Sequence, residues 1–378
     1  MYSVYQHWDP LKVCVVGRSY PPEFYSWITT AHVRNLFERI AIETEEDYQA
    51  VIKKLHEFGV QTMRPELPTV NFVDNKYVEP PMFPRDHMVM IGETFYTNYN
   101  NYNFGHFYWN IRKPEWPDCH TPEDLQNLPE DIKKICLPEY DRYWKFQQSR
   151  ECYDSVFEHV RSQGNTVTRT DYPMIINGAM VSRIGRDLYF GTESYSQDTT
   201  QVEKDINQMF TQTRNHIVNT GGHGDGTYCP VCPGLIISLR DVESYQDTFP
   251  GWEVVYLPNQ SWGHIKPFLQ LKKQNNGRWW IPGFEKNQAV IDTVETWLKH
   301  WTGYVEETVF DVNMLLLDPK NVIVFNYNKQ VFDALDRYEI TPHVIPFRHR
   351  YFWDGGIHCI TADLHREGVM QDYFPDRT

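Results

Sequence analysis

Residues 44–65 read TEEDYQAVIKKLHEFGVQTMRP. Tyr48, Val51, Ile52, Leu55 and Phe58 recur at the three- and four-residue intervals that line up on one face of a helix. Thr44 stands in a capping position, and Glu45, Glu46 and Asp47 suit the positive end of a helix. Gly59 supplies the residue that most readily turns left-handed and stops it. The stretch therefore predicts a helix over 44–58 followed by a short strand that Pro65 closes.

The unit returns along the chain. Val156, Phe157, Val160 and Gly164 repeat Val51, Ile52, Leu55 and Gly59 ahead of the strand-like TVTRT at 166–170. Val331, Leu335, Tyr338 and Ile340 match Val51, Leu55, Phe58 and Val60, with a proline again at the end of the unit. Before the first copy, KVCVVG at 12–17 has the unbroken apolar run of a buried strand. Further helices are expected at 198–212 and 285–300, and strands near 186–191, 216–220, 234–239, 253–257, 312–317 and 321–326. About five strand-and-helix units imply an α/β fold. No Gly-, Ser- or Pro-rich linker divides them, so residues 1–378 read as one domain. Residues 97–150, rich in Tyr, Asn and Pro, read as an irregular insertion over a pocket.

Bulk properties narrow the function. Of the 378 residues 41% are hydrophobic, 23% charged and 15% aromatic, as in a folded globular protein. A formal charge of -14 without a Lys/Arg cluster argues against nucleic acid. The opening MYSVYQHWDPLKV has no signal-peptide pattern, and no apolar run is long enough to cross a membrane. The seven cysteines are odd in number and scattered, which fits a reducing compartment and a cytoplasmic protein.

Three clusters carry chemistry: FPRDHMVMIG at 83–92, GGHGDGTYCPVCPGLIISL at 221–239 and WDGGIHCIT at 353–361. Asp86 alone reads as a turn carboxylate. His223 and Asp225 are two apart among glycines, so an extended backbone aims both at one ligand. Cys229 and Cys232 form a lone CxxC between prolines, without the second half of a zinc site, and no metal is expected. Cys359 is the candidate nucleophile. Its neighbour His358 is expected to face away from it on a strand and to be structural.

The order of these blocks resembles the glycine amidinotransferases among the guanidino-modifying enzymes. WDPL at 8–11, Pro84-Arg85-Asp86, the run from His223 through Asp225 and Thr227 to Pro233, Gly234 and Ser238, NMLLLD at 313–318, and Gly355, Gly356, His358, Cys359 and Thr361 carry it. The resemblance implies a five-bladed α/β-propeller (pentein) around a central pocket. It also implies amidino transfer from arginine or a related guanidino donor to an amine such as glycine, without metal or organic cofactor, and a homodimer. Asp86 and Asp225 would orient the flat cation, with Arg85 and Glu307 as further substrate contacts. The Cys359 thiolate would attack its carbon, with His223 as acid and then base.

Two positions depart from the family. Asn177, in INGAMVSRIGRD at 176–187, stands where the family places an aspartate beside the histidine. It can orient an imidazole but supplies no full charge to an imidazolium. Glu306 and Glu307 replace serines near the donor's carboxylate, so either they turn outward or the substrate presents an amine there. Two other readings use the same residues: an arginine-deiminase-like hydrolase, and a guanidino-binding protein of this fold.

Overall fold

The computed structural model describes residues 1–73, 76–98, 108, 111–119, 122–148, 152–170, 176–192, 200–220, 223–239, 245–257, 281, 283, 284, 286–298, 301 and 311–377. Its strands fall into five three-stranded sheets and one two-stranded hairpin at 72–77. Four of the five sheets follow one recipe. Two strands pair antiparallel across a tight turn, and a helical crossover brings back a third strand parallel to the second. The second blade has Met88–Ile91, Thr94–Thr97 and Thr166–Arg169; the third has Val181–Ile184, Asp187–Thr192 and Arg214–Asn219. The fourth has Tyr228–Cys232, Leu235–Ser238 and Glu253–Tyr256; the fifth has Leu315–Asp318, Asn321–Val324 and Thr341–Val344.

The first blade is assembled from both ends of the chain. Strand Leu11–Val16 pairs parallel with Gln61–Met63 and antiparallel with Thr361–Arg366, so residues near the C-terminus supply the leading strand that the other blades carry in sequence. The fold is a five-bladed α/β-propeller. Leading strands such as Met88–Ile91, Val181–Ile184 and Tyr228–Cys232 are buried at every residue, whereas third strands such as Thr166–Arg169 and Thr341–Val344 are half exposed. A strand covered on both faces has to be apolar throughout, which places the leading strands at the ring's interior.

Helix Ala31–Glu57 begins well before the expected start at residue 44. Val33, Leu36, Phe37, Ile40 and Ala41 continue the buried stripe upstream, and Thr44 is no cap: it is buried in mid-helix and accepts a hydrogen bond from Trp353 Nε1 at 2.9 Å. The repeat reaches down to backbone angles. Gly59 and Gly164 end their helices at φ +72° and +88°. The third copy puts Glu339 there at φ 56°, a left-handed conformation that a side chain makes costly. The segment 97–150 is more ordered than its composition suggested. A 3₁₀ helix at Pro122–Asn127 and an α-helix at Glu130–Gln148 lie within it, over a local core of Tyr108, Trp116, Cys119, Leu125, Leu128, Ile132 and Cys136.

An ion cluster ties blades together at the ring's interior. Asp363, on the strand that closes the first blade, accepts from Arg85 Nη1 at 2.5 Å, from Arg183 Nη2 at 2.8 and 2.9 Å, and from Arg366 Nε at 2.6 Å. The arginines also reach carbonyls of Met90, His358, Thr361 and Leu316, so strands of the second, third and fifth blades meet on one carboxylate. Burial alone would raise Asp363, yet Arg183, Arg85 and Arg366 hold it well below the usual carboxylate range.

Candidate active site

Four chain segments converge beside this cluster. Pro84–Asp86 form one 3₁₀ turn before the second blade, and Gly224–Gly226 form another before the fourth. Asn313 precedes the fifth blade, and Cys359 lies in the turn before the strand Thr361–Arg366. Each functional side chain thus sits at the entry to a leading strand, where the repeat aims it inward.

Cys359 is 6% exposed. Asn313 holds it from both sides: its Nδ2 donates to Sγ at 3.1 Å, while its Oδ1 accepts from the backbone N–H of His358 at 2.7 Å and of Cys359 at 3.3 Å. The second glycine of WDGGIHC is required by this clamp, since a Cβ on Gly356 would lie 2.1 Å from Asn313 Oδ1. The thiol in turn approaches Asp225 Oδ2 at 3.8 Å, and Asp225 Oδ2 accepts from His358 Nδ1 at 2.7 Å. Asp225 Oδ1 is buried and keeps an acceptor without a partner among the described residues. His223 Nδ1 lies 3.9 Å from Asp86 Oδ1, and both side chains are about a quarter exposed, at 24% and 28%.

The electrostatics of this group are those of a site short of one cation. Burial, followed by the nearby Asp86 charge, pushes Asp225 up to about 7, with His223 and Arg85 opposing. Burial, then Asp225 and Asp86, pushes the Cys359 thiol well above its ordinary range, with the Gly356 backbone and Asn313 opposing. Burial, then the positive charge of Arg85, keeps His358 neutral by lowering it well below its usual value. A neutral His358 donates from Nδ1 to Asp225, which fixes the carboxylate's orientation.

The structure brings together Cys359, His223, Asp86 and Asp225, but not every expected contact. Arg85 is fully buried and committed to Asp363 and to carbonyls, so it offers no surface to a substrate and instead supplies field from behind. Asn177 makes no hydrogen bond to His223. Its Oδ1 accepts from the backbone N–H groups of Ala179 and Met180 at 3.1 and 3.0 Å, closing a local turn, and Asp86 is the acid beside the imidazole. Glu306 and Glu307 lie outside the described residues.

Two further side chains belong to this cluster. Asn313 opens the quoted NMLLLD block, but nothing local shows that it touches a residue 46 positions away. Strand alternation turns His358 away from its neighbour, yet residues 357–360 form a turn and its ring contacts Asp225. Cys229 and Cys232 are core thiols that burial pushes up to about 12 and about 11. Among the described residues no group of three or more His, Cys, Asp or Glu could hold a metal, and no helix is long and apolar enough to cross a membrane.

No family model matches the chain. It is 22% identical over 405 residues to the mitochondrial glycine amidinotransferase of Xenopus tropicalis, covering 98% of this chain and 84% of that one. An amidinotransferase of the saxitoxin biosynthetic pathway from Microseira wollei has the same fold, with a TM-score of 0.62 at 16% identity over 99% of both chains. The inosamine-phosphate amidinotransferase of Streptomyces griseus gives 0.60 at 15% identity, again over 99% of both. The chain is thus similar to amidinotransferases over nearly its whole length, and its fold is theirs.

Proposed function

We propose that this chain, a relative of the amidinotransferases, moves an amidino group from arginine or a related guanidino donor to an amine such as glycine, by way of an amidino group carried on Cys359. The observation that carries the reading is the placement of the Cys359 sulfur 3.8 Å from a carboxylate that burial pushes up to about 7, with a second acid and an imidazole alongside. Such a group is poised for a cation. A guanidinium on Asp225 and Asp86 ionises Asp225 fully and offsets the two charges that hold the thiol protonated, so the substrate itself promotes the nucleophile. Asp225 Oδ1, without a partner among the described residues, is the acceptor offered to a guanidinium N–H.

His223 takes the thiol proton and becomes the imidazolium, with Asp86 supplying the compensating charge that Asn177 does not. The thiolate attacks the guanidinium carbon and forms the S–C bond. The C–N bond to the departing amine then breaks as His223 returns its proton to that nitrogen. What remains is a cationic amidino-cysteine and a neutral amine. In the second half the acceptor amine attacks the same carbon, the S–C bond breaks, and His223 takes the surplus proton. Asn313 Nδ2 faces the sulfur throughout and stabilises it each time it carries negative charge.

The test is intact-mass analysis after incubation with labelled arginine, with and without glycine. The expected result is label on wild-type protein, none on Cys359→Ser, and ornithine release that rises with added amine. Citrulline formed without an amine, or label on Cys359→Ser, would refute the transferase reading.

A further inference from the structure

A second pocket opens on the outer flank of the first blade, between helix Ala31–Glu57 and the chain that leaves strand Leu11–Val16. Its volume of about 590 Å³ suits a small molecule. Four charged side chains line it, and three of them are engaged with protein partners. Arg64 is spent on Glu45, with contacts of 2.6 and 3.1 Å, and on the carbonyl of Gly17. Glu46 meets Arg348, at 2.7 Å, which also serves Asp47. Arg18 has no carboxylate among the described residues, and its guanidinium reaches only the Pro65 carbonyl, at 3.4 Å. Beside it Ser19 is 5% exposed, and its Oγ has no hydrogen-bond partner among the described residues. Buried hydroxyls are rarely left so, and this one belongs to a residue that lines the cavity next to a guanidinium with no carboxylate among the described residues. The rest of the wall includes Pro22, Leu67 and Ile42, the last 47% exposed.

We propose that this pocket binds a zwitterionic amino acid with an apolar side chain. Its carboxylate pairs with Arg18 and accepts from the Ser19 hydroxyl once that turns toward the cavity, its ammonium faces Glu46 Oε1, the oxygen opposite the one that Arg348 holds, and its side chain covers Ile42 and Leu67. The two arginines and two glutamates cancel, so a zwitterion enters without adding net charge, whereas a phosphate dianion would meet both glutamates. The site is separate from the amidino chemistry, although its backbone adjoins it: Gly17 N–H donates to the Ile360 carbonyl at 2.8 Å and Arg18 N–H to that of Pro81 at 2.9 Å.

Isothermal calorimetry on the full chain tests this, with L-leucine as probe and 4-methylpentanoate, isopentylamine and inorganic phosphate as comparison arms. Leucine binds the wild type and Cys359→Ser equally. 4-Methylpentanoate binds more weakly, and the amine and phosphate bind least. Arg18→Met weakens leucine at least about tenfold, and Ser19→Ala about threefold, which is the scale of losing one charge-assisted and one neutral hydrogen bond. Both variants keep the wild-type Tm and the wild-type rate of Cys359 alkylation, which shows that fold and active site are intact. Absence of leucine binding, binding that survives Arg18→Met, binding lost in Cys359→Ser, or a preference for phosphate would each overturn the proposal.

Discussion

Asp225→Asn should stabilise the protein in alkaline solution and leave it nearly unchanged in acid. The carboxyl has an ordinary value of 3.8 and sits at about 7 in the fold, chiefly because it is buried. A carboxyl raised in the folded state keeps a proton that the unfolded chain has already lost. The wild type therefore loses stability as pH rises from about 4 to about 7, and the loss is complete above that. At about 1.36 kcal/mol per pH unit the interval amounts to ~4 kcal/mol. Asparagine removes the charge yet keeps a carbonyl oxygen for His358 Nδ1, so the 2.7 Å hydrogen bond survives. Unfolding entropy of ~2.1 cal/mol/K per residue gives a chain of this length ~0.8 kcal/mol/K, and ~4 kcal/mol then becomes a Tm rise of ~5 °C. Scanning calorimetry at about pH 4 and about pH 8.5 reads the difference. Wild type and variant running in parallel across that range would show that Asp225 is not charge-strained, and the cation-seeking picture of the site would go with it.

Asn313→Ala removes the donor to Cys359 Sγ and should lower turnover by about one to two orders of magnitude, as loss of a preorganised donor does. Because Asn313 opposes the rise of the thiol, its loss also moves the pH dependence of Cys359 alkylation by iodoacetamide to higher pH, which a purely structural role would not do. Gly356→Ala forces a Cβ into Asn313 and should cost activity about a hundredfold while the far-UV spectrum stays unchanged, as expected for a misplacement of about 1 Å. Asp363→Asn leaves three buried guanidinium groups without counter-charge and should destabilise by ~3–5 kcal/mol, read as a Tm drop of several degrees.

What the sequence makes legible is what local chemistry decides. The helix-to-strand unit shows at Val51, Leu55 and Gly59 because burial of one helical face and a left-handed stop are properties of neighbouring residues. The same logic misses the upstream half of the helix. Thr44 has the chemistry of a cap, and only the packing of Trp353 against it, from the far end of the chain, keeps it in mid-helix. Cys359, His223, Asp86 and Asp225 are recognisable as residue types suited to a guanidinium, but their roles depend on who meets whom. Asn177 is expected beside the histidine and instead spends its acceptor on its own turn, and Arg85 belongs to Asp363, 278 residues away. No periodicity records a contact of that separation.

The order in which the polypeptide emerges during synthesis ties the side-chain cluster to the closing of the ring. Both acids, the imidazole and the clamping asparagine are made before the Cys359 sulfur, which arrives only two residues ahead of the strand that locks onto Leu11–Val16. Asn313 therefore has no sulfur to clamp, and the cluster stays incomplete, until the segment that also supplies the closing strand is being made. Closing the ring and completing the side-chain cluster draw on the same short stretch of chain.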